Sequence, residues 1–200
     1  MLEDDLRLAR ENDEAIQDRA YENETIENGD FDRVEFARVR FTRCQFIGCR
    51  FVKGSFYSVA LDGCDLSNCV LEQSFWKDCT IARCNAVGVN LNQSRFRAIQ
   101  IRDSTFRYAN LGETQWENGG ITDCKFAEAA FSEAKFKAIK LSNVDFTRAD
   151  FFKTPLKDVD LSGCVIHGIV LSDSRSELVG ALIDMSQAVD VALMMGVKIV

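Results

Sequence analysis

Eight cysteines and a single histidine are the residues of this 200-residue chain best suited to do chemistry. Thiols in such number raise zinc binding and disulfide formation first. The cysteines are Cys44, Cys49, Cys64, Cys69, Cys79, Cys84, Cys124 and Cys164, and any two are separated by a multiple of five. A shared register of that kind belongs to packing, since a free thiol behaves as a small buried hydrophobe. His167 has no Ser, Cys or carboxylate constellation around it in the sequence and reads as a surface bystander. Phosphate-cradling glycine loops are absent, and Gly119-Gly120 is the only glycine pair. The chain therefore presents no catalytic residue, metal ligand set or cofactor site, and it reads as a protein that is not an enzyme.

The elements that would position any such group follow one rule. Every fifth residue from Tyr21 to Leu171 is large and apolar, as in Phe31, Phe36, Phe41, Phe46, Phe51 and Phe56; Ala86 is the single small member. Two residues before each large residue, at positions 24 to 169, stands a small one (Cys, Val, Ile, Ala, Gly, Ser or Thr), with Glu24 as the exception. The other three positions of each unit are mostly polar. Neither a helix nor a flat strand has a period of five. A fixed short repeat over most of a chain indicates a solenoid with a narrow apolar core.

Units such as Cys44-Gln45-Phe46-Ile47-Gly48 and Ala149-Asp150-Phe151-Phe152-Lys153 resemble the A(D/N)LXX motif of the pentapeptide-repeat family over residues 21–173. The resemblance implies an all-β fold, a right-handed quadrilateral β-helix with twenty residues per coil. It would have about 7.5 coils and a length of ~36 Å at ~4.8 Å per coil. Cys44, Cys64 and Cys84 would then stack, as would Cys49 and Cys69. Parallel Cβ vectors ~4.8 Å apart exceed the usual ~3.5–4.5 Å of a disulfide, and a linear ladder cannot close a tetrahedron around zinc.

The net charge is −7. Seven acids against Arg7 and Arg10 place −5 of it in residues 1–18, so the repeats are almost neutral. Distributed over four sides, the charges separate. The side centred on 31, 51 and 71 is acidic, and offers Glu72, Glu113, Glu133, Asp150 and Asp173 as partner-binding residues. The side centred on 36, 56 and 76 is basic, with Arg95, Arg97, Lys135 and Lys137, and carries the outward aromatics Tyr57 and Phe75. A hydrophobic span of ~20 residues is lacking and residues 1–20 are too acidic for a signal peptide, so a cytoplasmic protein without a membrane segment is expected.

Residues 1–20 read as an acidic cap or tail, with a helix over about 3–17. Residues 174–200 read as a C-terminal cap with a helix at about 186–195, N-capped by Ser186 and stopped by Gly196, then a strand Val197–Val200. Met185, Val191, Met194, Met195, Val197, Ile199 and Val200 make an apolar surface large enough for a symmetric dimer interface.

Two internal segments and the ending are more specific. Cys84-Asn85-Ala86-Val87-Gly88-Val89-Asn90-Leu91, Tyr108-Ala109-Asn110 and the Gln187-to-Val200 tail resemble the topoisomerase-protecting branch, which includes the Qnr-type quinolone-resistance proteins. The resemblance implies a homodimer that imitates duplex DNA, binds DNA gyrase or topoisomerase IV, and modulates or protects it from quinolones or a peptide toxin. Nucleic acid itself would not be bound. The other reading is a protein-interaction scaffold working through the basic and aromatic side.

Overall fold

The computed structural model describes residues 1–198. Helix α1 (Leu2–Asn12) leads into a four-sided parallel β-solenoid, which ends in a 3-10 turn (Ser176–Leu178) and helix α2 (Met185–Met194). Paired residues lie twenty positions apart, as in Phe36↔Phe56 and Tyr21↔Phe41, until the final bridge Asp160↔Leu182. Face 1 is centred on Ile16, Phe36, Phe56, Trp76, Phe96, Trp116 and Phe136, and face 2 on Tyr21 through Leu141; each is a seven-stranded parallel sheet. Face 3 begins with strands Thr25–Glu27 and Gln45–Ile47, then continues as single bridges from Asp65 to Val165. Face 4 is a column of single bridges from Asp30 to Val170.

The corner between faces is made by the second residue after each large apolar one. That residue has a positive φ at Asn23, Arg38, Ala98 and Tyr108 alike. Asparagine enters the left-handed region readily, but arginine, alanine and tyrosine do so at a cost of about 1–2 kcal/mol each. Stacking of whole coils, rather than local preference, therefore imposes the corner. A local signal does select the kind of face. Asp or Asn just before the large residue accepts the backbone N–H two positions on, at Asp65 (2.8 Å), Asn90 (3.2 Å), Asp145 (2.9 Å) and Asp150 (2.8 Å). This side-chain turn takes the place of the extended strand at those rungs, all of them on the single-bridge faces, while Arg50, Val70, Thr105, Lys125 and Ala130 make the same bridges without it.

Large inward residues stack coil upon coil. Phe56 lies 3.8 Å from Trp76 and Phe31 lies 4.6 Å from Phe51, both close to parallel. Both tryptophans donate their indole N–H to the hydroxyl two residues earlier, Trp76 to Ser74 (2.8 Å) and Trp116 to Thr114 (2.9 Å). The small inward position thus becomes a hydroxyl residue where the neighbouring ring carries a polar edge. Ala86 leaves a cavity of about 10 Å³ between Leu66, Trp76, Phe96 and Phe106. Its lining is apolar, so the void is dry.

Both ends depart from the sequence expectation. Helix α1 is shorter than 3–17, because Asp13 turns left-handed (φ 56°) and ends it. Ile16, in register with Tyr21, then becomes the first rung and pairs with Phe36. Leu2 is fully buried, and its N–H is accepted by Glu24 at 3.0 Å. The one acid at a small inward position is thus the anchor of the N-terminal cap. Asp5 accepts the Tyr21 hydroxyl at 2.6 Å, and burial together with that carboxylate pushes the phenol up.

At the other end the ladder of face 1 stops at Lys135–Lys137, because Pro155 has no N–H to offer its neighbour. Phe136, Ile139 and Leu141 are consequently only partly buried. Helix α2 is capped by Asp184, not Ser186. Asp184 accepts the Gln187 N–H and Gln187 accepts the Asp184 N–H, both at 2.9 Å, forming a capping box. Val197 and Lys198 form no strand, and Ile199 and Val200 lie outside the described residues.

Candidate functional site

The thiols are all buried and unpaired with one another. Burial pushes Cys79 and Cys124 up to about 11, and Cys79 donates to the Phe56 carbonyl at 3.3 Å. Thiols held protonated in this way are poor nucleophiles and poor metal ligands. Among the described residues no group of three His, Cys, Asp or Glu is placed to hold a metal ion. His167 is not free-standing: its Nδ1 lies 3.0 Å from Asp190 Oδ1 and ties α2 to the last coil.

Interest therefore falls on the outward columns. On face 4, Glu113 and Glu133 occupy the same corner in successive coils. Gln93 donates to Glu113 at 3.1 Å, and Gln73 donates to Gln93 at 3.0 Å, so a polar ladder leads into the acidic stretch. Lys153 lies 3.7 Å from Glu133. Asp150 sits alongside, accepting the Ser132 hydroxyl at 2.8 Å as well as the Phe152 N–H. Glu72 stands apart, two coils earlier, bonded to Asn90 at 2.6 Å. Asp173 belongs to the final turn, where Arg175 donates to its carbonyl at 3.1 Å. The structure thus groups Glu113, Glu133 and Asp150 and leaves Glu72 and Asp173 outside the group.

Face 1 unites every residue expected on the basic side. Phe75, Arg95, Gln115 and Lys135 form one column, and Tyr57, Lys77, Arg97, Glu117 and Lys137 the other. The Tyr57 and Phe75 rings are 5.7 Å apart. Glu117 binds Lys137 at 2.8 Å and Arg97 at 3.8 Å, and the Lys137 hydrogen bond holds its carboxyl below the usual range. Open grooves of about 610 Å³ and about 300 Å³ flank Arg95; Phe75 and Gln115 line both. Faces 4 and 1 share a corner, so the acidic and basic columns are neighbours.

The C-terminal cap buries one side of α2 and exposes the other. Gln187, which sequence reasoning passed over, is buried and donates to the Leu161 and Cys164 carbonyls at 2.7 and 2.6 Å. Its signal was the Asp184-x-x-Gln187 capping pattern. Val191 and Met194 pack on the core. Met185 (88% exposed), Met195 and Val197 face outward, joined by Val189 and Leu193. Glu177, also unremarked in the sequence, is buried and accepts the N–H groups of Lys153 (2.8 Å) and Ser172 (3.0 Å) and the Ser172 hydroxyl (3.0 Å). In earlier coils a backbone carbonyl fills that role, as Phe152 does for Glu133.

No described helix is long and apolar enough to cross a membrane. Residues 61–97 and 122–168 match the family model for pentapeptide repeats, in eight copies. Among curated proteins none matches this sequence. Among solved structures, a trypsin-treated form of QnrB1, a plasmid-mediated fluoroquinolone resistance protein, is 22% identical, covering 93% of this chain and 98% of that one, with a TM-score of 0.47. HetL, a pentapeptide repeat protein involved in heterocyst differentiation regulation from the cyanobacterium Nostoc, is 13% identical over 79% of this chain and 86% of its own (TM-score 0.39). A thylakoid-lumen pentapeptide repeat protein of Arabidopsis thaliana is 18% identical over 70% of each chain (TM-score 0.37).

Proposed function

We propose that this chain, whose residues 61–97 and 122–168 match the pentapeptide-repeat family model, is a non-enzymatic cytoplasmic protein that binds a type II topoisomerase and protects it from quinolones or a peptide toxin. The observation that carries this reading is the pair Glu113 and Glu133 on successive coils of a rod whose repeat no insertion interrupts, with Asp150 beside them. With no projecting loop between coils, recognition falls to the faces, and a carboxylate edge suits a channel that normally receives phosphates. The matches of Cys84–Leu91 and Tyr108–Asn110 to the topoisomerase-protecting branch point the same way. The outward apolar residues Met185, Leu193 and Met195 would join two copies end to end, doubling the length of rod presented.

The test is gyrase supercoiling against rising protein concentration, with and without ciprofloxacin. Rescue of supercoiling in the presence of drug is expected. Inhibition without rescue, or no effect from folded protein, overturns the reading. Glu133→Lys reverses an exposed charge, and Asp150→Asn removes one while keeping the turn acceptor for Phe152. Rescue that survives both changes refutes contact through face 4.

A further inference from the structure

Face 1 is a flat sheet surface about 19 Å long from Tyr57 to Lys137, at ~4.8 Å per rung. Its side chains stand in strict register, with Lys77, Arg95, Arg97, Lys135 and Lys137 set against the single carboxylate of Glu117. Arginines elsewhere answer acids on the coil below: Arg38 binds Asp18 at 2.6 Å, Arg83 binds Asp62 at 2.5 Å, and Arg43 binds Glu22. Along the strip from Tyr57 to Lys137 the one acid, Glu117, is shared between Arg97 and Lys137. Lys77, Arg95 and Lys135 have no carboxylate within ion-pair distance among the described residues. At one end of this basic strip Tyr57 and Phe75 are half-buried and in ring contact, a fixed apolar step beside exposed cations.

We propose that face 1 docks an acidic segment of another protein, with an apolar side chain on the Tyr57–Phe75 step and carboxylates along Arg95, Arg97, Lys135 and Lys137. An extended peptide repeats its same-side residues every ~6.8 Å, so about three acidic residues and one anchor fit the strip. Charge selects a peptide over a nucleic acid. A phosphate polymer would run beyond the strip, across the corner onto the neighbouring column of Glu113 and Glu133. A short peptide can keep to the groove of Arg97, Lys135 and Lys137, which Glu113 does not line, and a Debye length of about 8 Å screens the acidic residues at the N-terminal end. The anchor step adds the desolvated aromatic contact that a charge strip alone lacks. This site does not depend on the topoisomerase reading, which rests on face 4.

Fluorescence anisotropy with the full chain tests it, using a dye-labelled peptide of alternating Glu and Ser with one terminal Trp. The controls are the same peptide with Lys for Glu, and an oligothymidylate of about twelve nucleotides. The acidic peptide should bind, weaken as salt rises from about 50 to about 300 mM, and lose at least about tenfold in affinity in R95E/K135E. Phe75→Ser should weaken it several-fold without changing the salt slope. Should the reversed variant fail to fold, R95Q/K135Q replaces it, with a smaller loss expected. No binding at low salt, equal binding by a folded variant, or tighter binding of the oligothymidylate overturns the proposal.

Discussion

Removing the Glu177 carboxylate tests how the solenoid is closed. The segment after the last coil offers carbonyls to Leu156, Asp158 and Leu161, while the N–H groups of Lys153 and Ser172, together with the Ser172 hydroxyl, are accepted by the Glu177 carboxylate. Glu177→Ala leaves two backbone donors and one hydroxyl without their acceptor in a partly buried setting. At about 1–3 kcal/mol for each donor left unsatisfied, and with water reaching some of them, the expected loss is about 3 kcal/mol. In a stack where each coil touches only its neighbours, that loss falls first on the end. Hydrogen exchange should therefore show protection falling at Lys153 and Ser172 while residues 36–101 keep theirs. The carboxyl also makes the end acid-sensitive. Burial raises its pKa, but the hydrogen bonds to the anion outweigh burial and hold it below the ordinary 4.5. A lowered folded pKa means the contribution is complete above about 4.5 and is lost as pH falls through the lower folded value. Glu177→Gln should flatten stability against pH in that window. Wild-type exchange rates at Lys153 and Ser172 in Glu177→Ala would refute the account of the cap.

Two further predictions concern the interior and the corners. Ser74→Ala leaves the Trp76 indole N–H without its acceptor in the core, and urea unfolding followed by tryptophan fluorescence should show a loss of about 1–3 kcal/mol. Gly88 has φ +67° and an added Cβ would lie 2.4 Å from Asn68 Oδ1, whereas Ala98 already holds φ 52°. Thermal unfolding should therefore find Gly88→Ala destabilising by about 1–2 kcal/mol and Ala98→Gly stabilising by about 0.5–1 kcal/mol.

Much of the candidate surface was legible because a solenoid of fixed period converts sequence position into place. Arg95, Arg97, Lys135 and Lys137 share a face for the same reason that Phe96 and Phe136 share a core stack. The acidic group was legible only in part. Glu72 lies on the right face, yet it stands one position before the column of Glu113, with the coil of Asn90, Asn92 and Gln93 between them, and Asp150 proves to be a turn former as well as a charge. The ends were the least legible. Gln187 and Glu177 look like surface polar residues in the sequence and Glu24 like a break in the inward pattern, and each instead satisfies backbone groups that the terminal coils leave unpaired.

By itself the sequence determined the period, the inward and outward positions, the burial of all eight cysteines and the sign of charge on each side. These follow from a five-residue pattern that only one kind of stacked structure can bury. The tertiary structure alone decided where the stack begins and ends. Ile16 joined the first coil, Pro155 broke the face 1 ladder, and Gln187 and Glu177 closed the last coil. Those outcomes depend on which backbone donors and acceptors lack a neighbouring coil, a fact set by the assembled stack and not by any local run of residues.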